Sequence, residues 1–366
     1  MDRRSFLKNA GVGTAATATA VLAAPAVRAQ TTTDMVIVAT WPRDFPGPGT
    51  GSQRLAKRIS DLTEGRINVQ YFAAGERVGA FDVFDEVASG NAQAYCSADY
   101  YFKGKNPGFS YFTSVPFGLT YAEMDAWMKF GGGQQLWDEL GDEYGLQPFA
   151  AGNTATQMAG WYNKEINSVD DLRGLKMRIP GLGGDIMSKL GVAPVSLPAS
   201  QSYEALVAGT IDAAEWIGPW NDYFLKYYEV AKYYYYPGLH EAASQLSMGV
   251  NKSWLTSLSK VDQEIIQASC MVENAMMTAE FNHNSGIYLD KLVNEHGVKL
   301  RRFPDEVLDE MGVAAEAVFQ TTVEHSDLTR RIHESFVKAR ADLGRWMLLA
   351  DTGYTEQRNR VLGITV

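Results

Sequence analysis

The fold is decided by a segment that opens with M-V-I-V-A-T-W at residues 35–41, continues through R-I-N-V-Q-Y-F at 66–72 and ends with a third apolar run at 92–98. Between these strand-like runs, residues 52–63 and 80–89 carry apolar side chains three or four positions apart, which is the spacing of one helix face. The resulting β-α-β-α-β order predicts an α/β fold with a doubly wound parallel sheet.

Length and charge limit the classes of protein that the chain can belong to. At 366 residues it is too long for one ordinary hydrophobic core and suits two lobes. Its net charge of −10 and pI near 5.1 argue against nucleic acid as a partner. An anionic ligand would therefore have to be captured by a local positive group.

The N-terminus has the pattern of an export signal. R-R-S-F-L-K at residues 3–8 precedes a run of small and apolar residues that ends in V-R-A at 27–29. An arginine pair followed by Phe-Leu-Lys is typical of the twin-arginine route. We expect residues 1–29 to be a twin-arginine signal peptide and the mature protein to be periplasmic.

Three polar side chains follow β-like segments in the middle of the chain, where packing alone does not account for them. Arg178 ends the alternating segment L-K-M-R-I-P (175–180), Glu215 ends G-T-I-D-A-A-E-W (209–216), and Gln157 precedes both. A guanidinium, a carboxylate and an amide at the ends of successive strands suit a small anion held in a cleft, together with a cation.

A second group of candidates follows the third apolar run. Residues 100–117 are aromatic and loop-like, and they come after a strand terminus, which is where open α/β sheets bind ligands. We expect Ser97, Tyr100 or Tyr101 to contact the ligand.

The remaining segments are predicted from their periodicity. V-A-P-V-S-L-P at 192–198 is predicted to be a connector, and residues 260–296 a single long helix that braces both lobes. In a later helix, apolar residues from Leu328 to Trp346 form one stripe, which either a partner subunit or the same chain could cover. Cys96 and Cys270 lie in apolar surroundings, so buried free thiols are favoured over a disulfide.

No catalytic motif stands out in the sequence. His240-Glu241 is followed by Ser244 where the second histidine of H-E-x-x-H would stand, and no G-x-S-x-G, G-x-G-x-x-G or Walker motif occurs. A chain without a candidate nucleophile and base favours binding over catalysis.

Four segments closely resemble the solute-binding subunits of TRAP (tripartite ATP-independent periplasmic) transporters. They are N-T-A-T-Q-M-A-G-W (153–161), S-V-D-D-L-R-G-L-K-M-R-I-P-G-L-G-G (168–184), G-T-I-D-A-A-E-W-I-G-P-W-N-D (209–222) and A-K-Y-Y-Y-Y-P-G-L-H-E (231–241). The chain is most similar to the branch that binds 2-oxo acids such as pyruvate together with a metal cation. The resemblance covers essentially the whole mature chain.

The resemblance implies a role for five residues. Arg178 would pair with the ligand carboxylate, and Gln157 would touch both ligand and cation. Glu215 and the backbone carbonyl of Trp216 would complete the cation site, and Glu241 would lie near the ligand. These cation ligands are all oxygens, so sodium or calcium is expected.

The resemblance also implies a periplasmic binding protein fold of two α/β lobes, with inter-lobe strands, a long bracing helix and C-terminal helices. We expect lobe 1 to comprise 34–155 and 247–285, lobe 2 to comprise 156–246 and 286–324, and 325–366 to form a C-terminal helix that some relatives exchange in a homodimer. The partners would be the TRAP membrane permease subunits.

Two alternatives remain at the level of the sequence. Lactate or another 2-hydroxy acid offers a cation the same two oxygens as a 2-oxo acid. A periplasmic enzyme that acts on a small carboxylate, with Glu215 as base and the cation as Lewis acid, is the alternative from another class.

Overall fold

Eleven strands and thirteen α-helices, with three short 3₁₀ helices and one π-helical turn, make up residues 32–365, the part of the chain described by this computed structural model. The predicted signal peptide (1–29) lies outside the described residues. The strands are β1 (Thr33–Ala39), β2 (Ile67–Phe72), β3 (Ala94–Ser97), β4 (Leu146–Asn153), β5 (Gly160–Tyr162), β6 (Lys176–Arg178), β7 (Ala193–Val195), β8 (Ala213–Ala214), β9 (Tyr233–Tyr236), β10 (Gln245–Asn251) and β11 (Lys299–Arg302).

The helices alternate with these strands through most of the chain. They are α1 (Pro48–Leu62), α2 (Val83–Ala88), α3 (Tyr121–Phe130), α4 (Gly133–Asp142), α5 (Gly181–Lys189), α6 (Ala199–Val207), α7 (Pro219–Phe224), α8 (Tyr227–Val230), α9 (Lys252–Ser257), α10 (Lys260–Asn294), α11 (Asp305–Val323), α12 (Asp327–Met347) and α13 (Gly353–Leu362). The 3₁₀ helices span Asp99–Phe102, Pro107–Phe112 and Val169–Leu172.

The first sheet has the strand order β2-β1-β3-β10-β4. Strand β1 is parallel to β2 and β3, as the β-α-β-α-β order predicts, whereas β10 is antiparallel to both β3 and β4. The central strands are buried on both faces, which explains why β1 reads as a nearly continuous apolar run.

The second sheet has the order β11-β9-β5-β8-β6-β7. Strands β7 and β8 flank β6 in parallel, and β5 runs antiparallel to β8 and β9. The prediction that 192–198 is only a connector was wrong, because Ala193–Val195 forms the edge strand β7. A three-residue edge strand that contains Pro194 and is mostly exposed leaves no periodicity to detect.

Helix α10 is the predicted long helix, with 35 residues and the Ser259 hydroxyl accepting the Asp262 N–H at its start. It packs against α1, β4 and α7. Its Phe281 ring lies 5.1 Å from the Trp220 ring of α7, and Arg54 of α1 pairs with the buried Glu273 at 2.6 Å. One helix therefore contacts β4 of the first sheet and α7, which follows β8 of the second sheet.

Two short segments connect the sheets beside α10. The chain passes from β4 to β5 through residues 154–159 and returns from β9 to β10 through 237–244. They are hydrogen-bonded to each other, since the Gln157 N–H donates to the Glu241 carbonyl at 3.1 Å and the Gly238 N–H donates to the Gln157 carbonyl at 3.2 Å. Both segments carry predicted site residues.

The C-terminal segment is two helices joined by a π-helical turn at Leu348–Thr352, rather than one helix. In α12 the predicted stripe divides. Leu328, Ile332 and Phe336 are buried, with the Phe336 ring 5.2 Å from that of Trp127. By contrast, Trp346 at the end of α12 is 64% exposed, and Leu349 in the π-helical turn that follows is 78% exposed. The chain thus covers the first half of the stripe itself.

The two cysteines are buried free thiols, as the sequence favours. Cys270 Sγ lies 3.5 Å from the sulfur of Met248 in the core of the first sheet. Within residues 32–365, no helix has both the length and the apolar character required to cross a membrane.

Candidate functional site

Arg178 and Glu215 meet at one edge of the second sheet. Strands β6 and β8 are parallel neighbours with Arg178 opposite Ala214, and the Glu215 N–H donates to the Arg178 carbonyl at 3.0 Å. The two side chains therefore leave the sheet at the same end. Arg178 Nη1 lies 3.0 Å from Glu215 Oε2, and the side chains are 1% and 0% exposed.

The rest of the Arg178 guanidinium is held in a fixed orientation. Nη1 also donates to the Glu215 carbonyl, Nε donates to the Leu197 carbonyl at 3.2 Å, and Nη2 lies 3.4 Å from the Tyr101 hydroxyl. Its carbon Cζ stacks 4.6 Å from the centroid of the Trp216 ring. Tyr101 follows β3 of the first sheet, so the guanidinium contacts residues that follow strands of both sheets.

Gln157 and Glu241 enter the site from the two connecting segments. Both side chains are 3% exposed. The Gln157 amide donates to the Thr154 hydroxyl at 2.9 Å, and the Ser244 hydroxyl donates to the Glu241 carboxylate. The structure therefore brings the end of two strands of the second sheet and the two connecting segments together.

Several buried polar atoms of the site have no hydrogen-bond partner among the described residues. They are Gln157 Oε1, Glu215 Oε1, Trp216 Nε1 and His240 Nε2. Buried polar groups in folded proteins are almost always paired, and leaving one unpaired costs about 1–3 kcal/mol. Four such atoms around one ion pair indicate a place for a polar ligand.

His240 belongs to the site, although sequence reasoning missed it. Its Nε2 lies 3.4 Å from Glu215 Oε1. Candidate ligand atoms of Glu215, His240 and Glu241 all lie within 4.8 Å of one another. The available signal was the adjacency of His240 to Glu241, which the search for H-E-x-x-H set aside because the second histidine was missing.

Burial dominates the electrostatics of the two carboxylates. It raises the pKa of Glu215 to about 8 despite the opposing charge of Arg178, and it raises the pKa of Glu241 to about 7, with the Glu215 charge adding to the effect. Burial also lowers the pKa of His240, which favours the neutral imidazole. A cation would relieve the cost of holding two carboxylates in this enclosed space, so the donor set fits a metal ion.

A small cavity adjoins these groups. Its lining combines Tyr100 and Tyr101 after β3 with Gln157 and Trp216 from the other side. Ser97 does not line this cavity. Its side chain is fully buried and its hydroxyl pairs with that of Thr40 at 2.7 Å. The contact of Ser97 with a ligand stays a prediction.

The fold and this site define a periplasmic-type solute-binding protein, and comparison with known families gives the particular class. Residues 39–326 match the DctP family, described as bacterial extracellular solute-binding protein, family 7. The chain belongs to this family. The monocarboxylate 2-oxoacid-binding periplasmic protein of Nostoc sp. is 35% identical over 97% of this chain and 98% of its own length.

Solved structures of TRAP solute-binding proteins give the same result. The protein from Pseudoalteromonas atlantica, crystallised with sodium and pyruvate, is 36% identical with a TM-score of 0.86, covering 89% of this chain and 99% of its own. The protein from Colwellia psychrerythraea, with calcium and pyruvate, is 35% identical with the same TM-score and the same coverage. The protein from Bordetella bronchiseptica, a mixed-occupancy dimer with calcium and picolinate, is 33% identical with a TM-score of 0.88, covering 91% and 98%.

These findings confirm the predicted family and the two-lobe α/β fold. The chain is a solute-binding protein of a TRAP transporter, a class that works with membrane permease subunits. Its family comprises extracellular solute-binding proteins of transporters, not enzymes, so the enzymatic alternative is not supported.

Proposed function

We propose that this protein captures a small monocarboxylate 2-oxo acid, pyruvate or a 2-oxobutyrate-like homologue, together with a sodium or calcium ion, and delivers it to a TRAP permease. The observation that carries the proposal is the buried Arg178–Glu215 pair surrounded by unpartnered polar atoms of Gln157, Trp216 and His240, as found among residues 32–365. The relatives that bind pyruvate or 2-oxo acids support it.

In this proposal Arg178 binds the ligand carboxylate and Gln157 binds both ligand and cation. Nη1 and Nε of Arg178 already donate to protein acceptors, so Nη2, which lies 3.4 Å from the Tyr101 hydroxyl, is the nitrogen left to donate to the ligand carboxylate. Charge-assisted hydrogen bonds contribute about 1.5–3 kcal/mol each, whereas micromolar affinity requires about 8 kcal/mol. Arginine alone is therefore insufficient, and the cation and lobe closure supply the rest. Tyr100 and Tyr101 form the wall on the side of the first lobe.

The cation is bound by Gln157 Oε1, the Glu215 carboxylate and the Trp216 carbonyl. Charge balance decides its valence. The positive charge of Arg178 balances the negative charge of the ligand carboxylate. The negative charge of Glu215 is then neutralised by a monovalent cation. If Glu241, 3% exposed and beside the site, is also ionised, a divalent ion restores neutrality.

The proposal also covers the export route of the protein and its oligomeric state. Export by the twin-arginine route to the periplasm rests on the sequence of residues 3–29. A homodimer is supported by the exposed apolar side chains at the end of α12 and beyond, including Trp346, Leu348 and Leu349.

Calorimetric titration of the calcium-loaded protein with pyruvate, 2-oxobutyrate and L-lactate tests the proposal, with succinate as a dicarboxylate control. We expect micromolar or tighter binding of at least one 2-oxo acid and at least tenfold weaker binding of succinate. Tighter binding of lactate than of either 2-oxo acid would favour the 2-hydroxy acid alternative. No binding of any monocarboxylate would contradict the proposal.

A further inference from the structure

The separation between His240 Nε2 and Glu215 Oε1 does not suit a good hydrogen bond. The atoms are 3.4 Å apart, beyond the usual range of about 2.7–3.2 Å. Both are buried and have no hydrogen-bond partner within the described part of the chain. Each of these atoms can donate an electron pair to a cation.

The same separation suits two ligands of one metal ion. Ligands roughly 2.0–2.2 Å from a tetrahedral ion lie roughly 3.3–3.6 Å apart. Glu241 supplies a third donor, because its carboxylate and the other two ligand atoms lie within 4.8 Å of one another. Within residues 32–365, this is the one group of three His, Cys, Asp or Glu residues with such spacing.

The chemistry of the three donors differs from that of the proposed sodium or calcium site. Sodium and calcium prefer oxygen ligands, whereas imidazole suits zinc, copper, nickel and similar ions. One histidine and two carboxylates leave a fourth position for water or for an oxygen of the organic acid. A divalent cation beside Glu215 and Glu241 would also compensate the desolvation cost of burying two negative charges.

We propose that Glu215, His240 and Glu241 form a nitrogen-containing site for a divalent first-row transition cation of the zinc class, so that the cleft accepts two classes of metal. The site shares Glu215 with the proposed function and rests on it only for the location of the cleft. It does not depend on which organic acid is bound.

Cobalt(II) titration of tag-free, metal-stripped protein tests this inference, because the visible spectrum of cobalt reports its coordination. We expect one equivalent of Co²⁺ to bind with the absorption of a four-coordinate ion. His240→Gln should weaken Co²⁺ binding at least tenfold and Ca²⁺ binding less than threefold. His296→Gln is the matched control, because the His296 ring stacks 4.1 Å from that of Tyr228 in another part of the second lobe. This control should change neither affinity.

Two results would contradict the proposed transition-metal site. Unchanged Co²⁺ affinity in His240→Gln would exclude the imidazole as a ligand, and an equal loss for Co²⁺ and Ca²⁺ would assign it only an orienting contact with Glu215. If the variant does not fold, electron paramagnetic resonance of the Cu²⁺-loaded wild type decides. Nitrogen hyperfine coupling from a single site that Zn²⁺ displaces supports the proposal, and its absence contradicts it. Pyruvate titration of the calcium form, done separately, reports on the proposed function alone.

Discussion

Arg178 Nη1 and Glu215 Oε2 lie 3.0 Å apart in a pair that is almost completely shielded from solvent. Such a pair is retained only where its remaining hydrogen-bonding capacity is used, because desolvation of two charges costs several kcal/mol per ion. Most N–H groups of Arg178 donate to protein acceptors, whereas Glu215 Oε1 has no hydrogen-bond partner among the described residues. The pair is therefore arranged to receive a cation and an organic anion together.

Replacing Arg178 removes the positive charge that binds the ligand and balances Glu215. Arg178→Ala should weaken pyruvate binding at least a hundredfold, since a buried carboxylate loses its partner and the ligand loses its main donor. Calorimetry measures this loss. Arg173→Ala is the control, because Arg173 is 70% exposed and pairs with the exposed Asp170 at 3.2 Å. Pyruvate affinity within threefold of wild type in Arg178→Ala would refute the assignment.

Glu215→Gln keeps the shape of the side chain but removes its charge. We expect the variant to lose the dependence of pyruvate binding on calcium, along with most of its affinity, because an amide oxygen does not neutralise a cation. Pyruvate titrations at zero and saturating calcium measure the dependence. Glu229→Gln, at a half-exposed carboxylate that accepts from Tyr203, should retain it. A calcium effect of wild-type size in Glu215→Gln would show that the cation binds elsewhere.

Lys103 forms an ion pair across the cleft. Its Nζ lies 2.6 Å and 2.7 Å from the two oxygens of Asp185 in α5, and 2.9 Å from the Gly181 carbonyl. Lys103 directly follows the 3₁₀ helix that carries Tyr100 and Tyr101. Lys103→Met should therefore destabilise the closed form and speed pyruvate dissociation by up to about fivefold, the range of a partly exposed pair.

Stopped-flow tryptophan fluorescence measures that dissociation rate. Lys105→Met is the matched control, because Lys105 pairs at 2.5 Å with Asp85 of the same lobe. Equal rates for the two variants would show that the Lys103 pair does not hold the cleft closed.

Asp99 links the stability of the protein to pH. The carboxylate accepts from Trp137 Nε1 at 2.9 Å and from Tyr95 and Ser247, but complete burial raises its pKa to about 6. A carboxyl group with a raised pKa stabilises the folded state at low pH and loses that contribution as pH rises through the folded pKa. The unfolding free energy of wild type relative to Asp99→Asn should thus fall between about pH 4 and pH 6, by at most about 3 kcal/mol.

Chemical denaturation at several pH values measures this difference. It should be flat above about pH 7, where Asp99 is ionised in both states. A difference that rises from pH 4 to pH 6 would show that the hydrogen bonds to Asp99 outweigh its burial.

The parts of the fold that follow from the sequence are those with a long local signal. The apolar run of β1 and the 35-residue α10 were both accessible from the sequence pattern. Strands β5 and β7, each three residues long, were not, because they are specified by pairing with distant strands and not by their own pattern.

The residues of the candidate site also differ in how far the sequence predicts them. Arg178 and Glu215 could be placed together from the sequence because Arg178 ends β6 and Glu215 directly follows β8, and parallel neighbours bring such ends together. His240 was missed, because its one local signal is its adjacency to Glu241 and its contact is with Glu215, 25 residues away in the sequence. Ser97 follows the same strand-end rule as Tyr100, but its hydroxyl turns toward Thr40 in the core.

The most direct test of the account is the affinity of wild-type protein for pyruvate with and without a cation. Metal-stripped protein should bind pyruvate at least tenfold more weakly than the same protein saturated with calcium, because the unpartnered oxygen of Glu215 then has no ion to share with the ligand. Equal affinity in the two titrations would contradict the account.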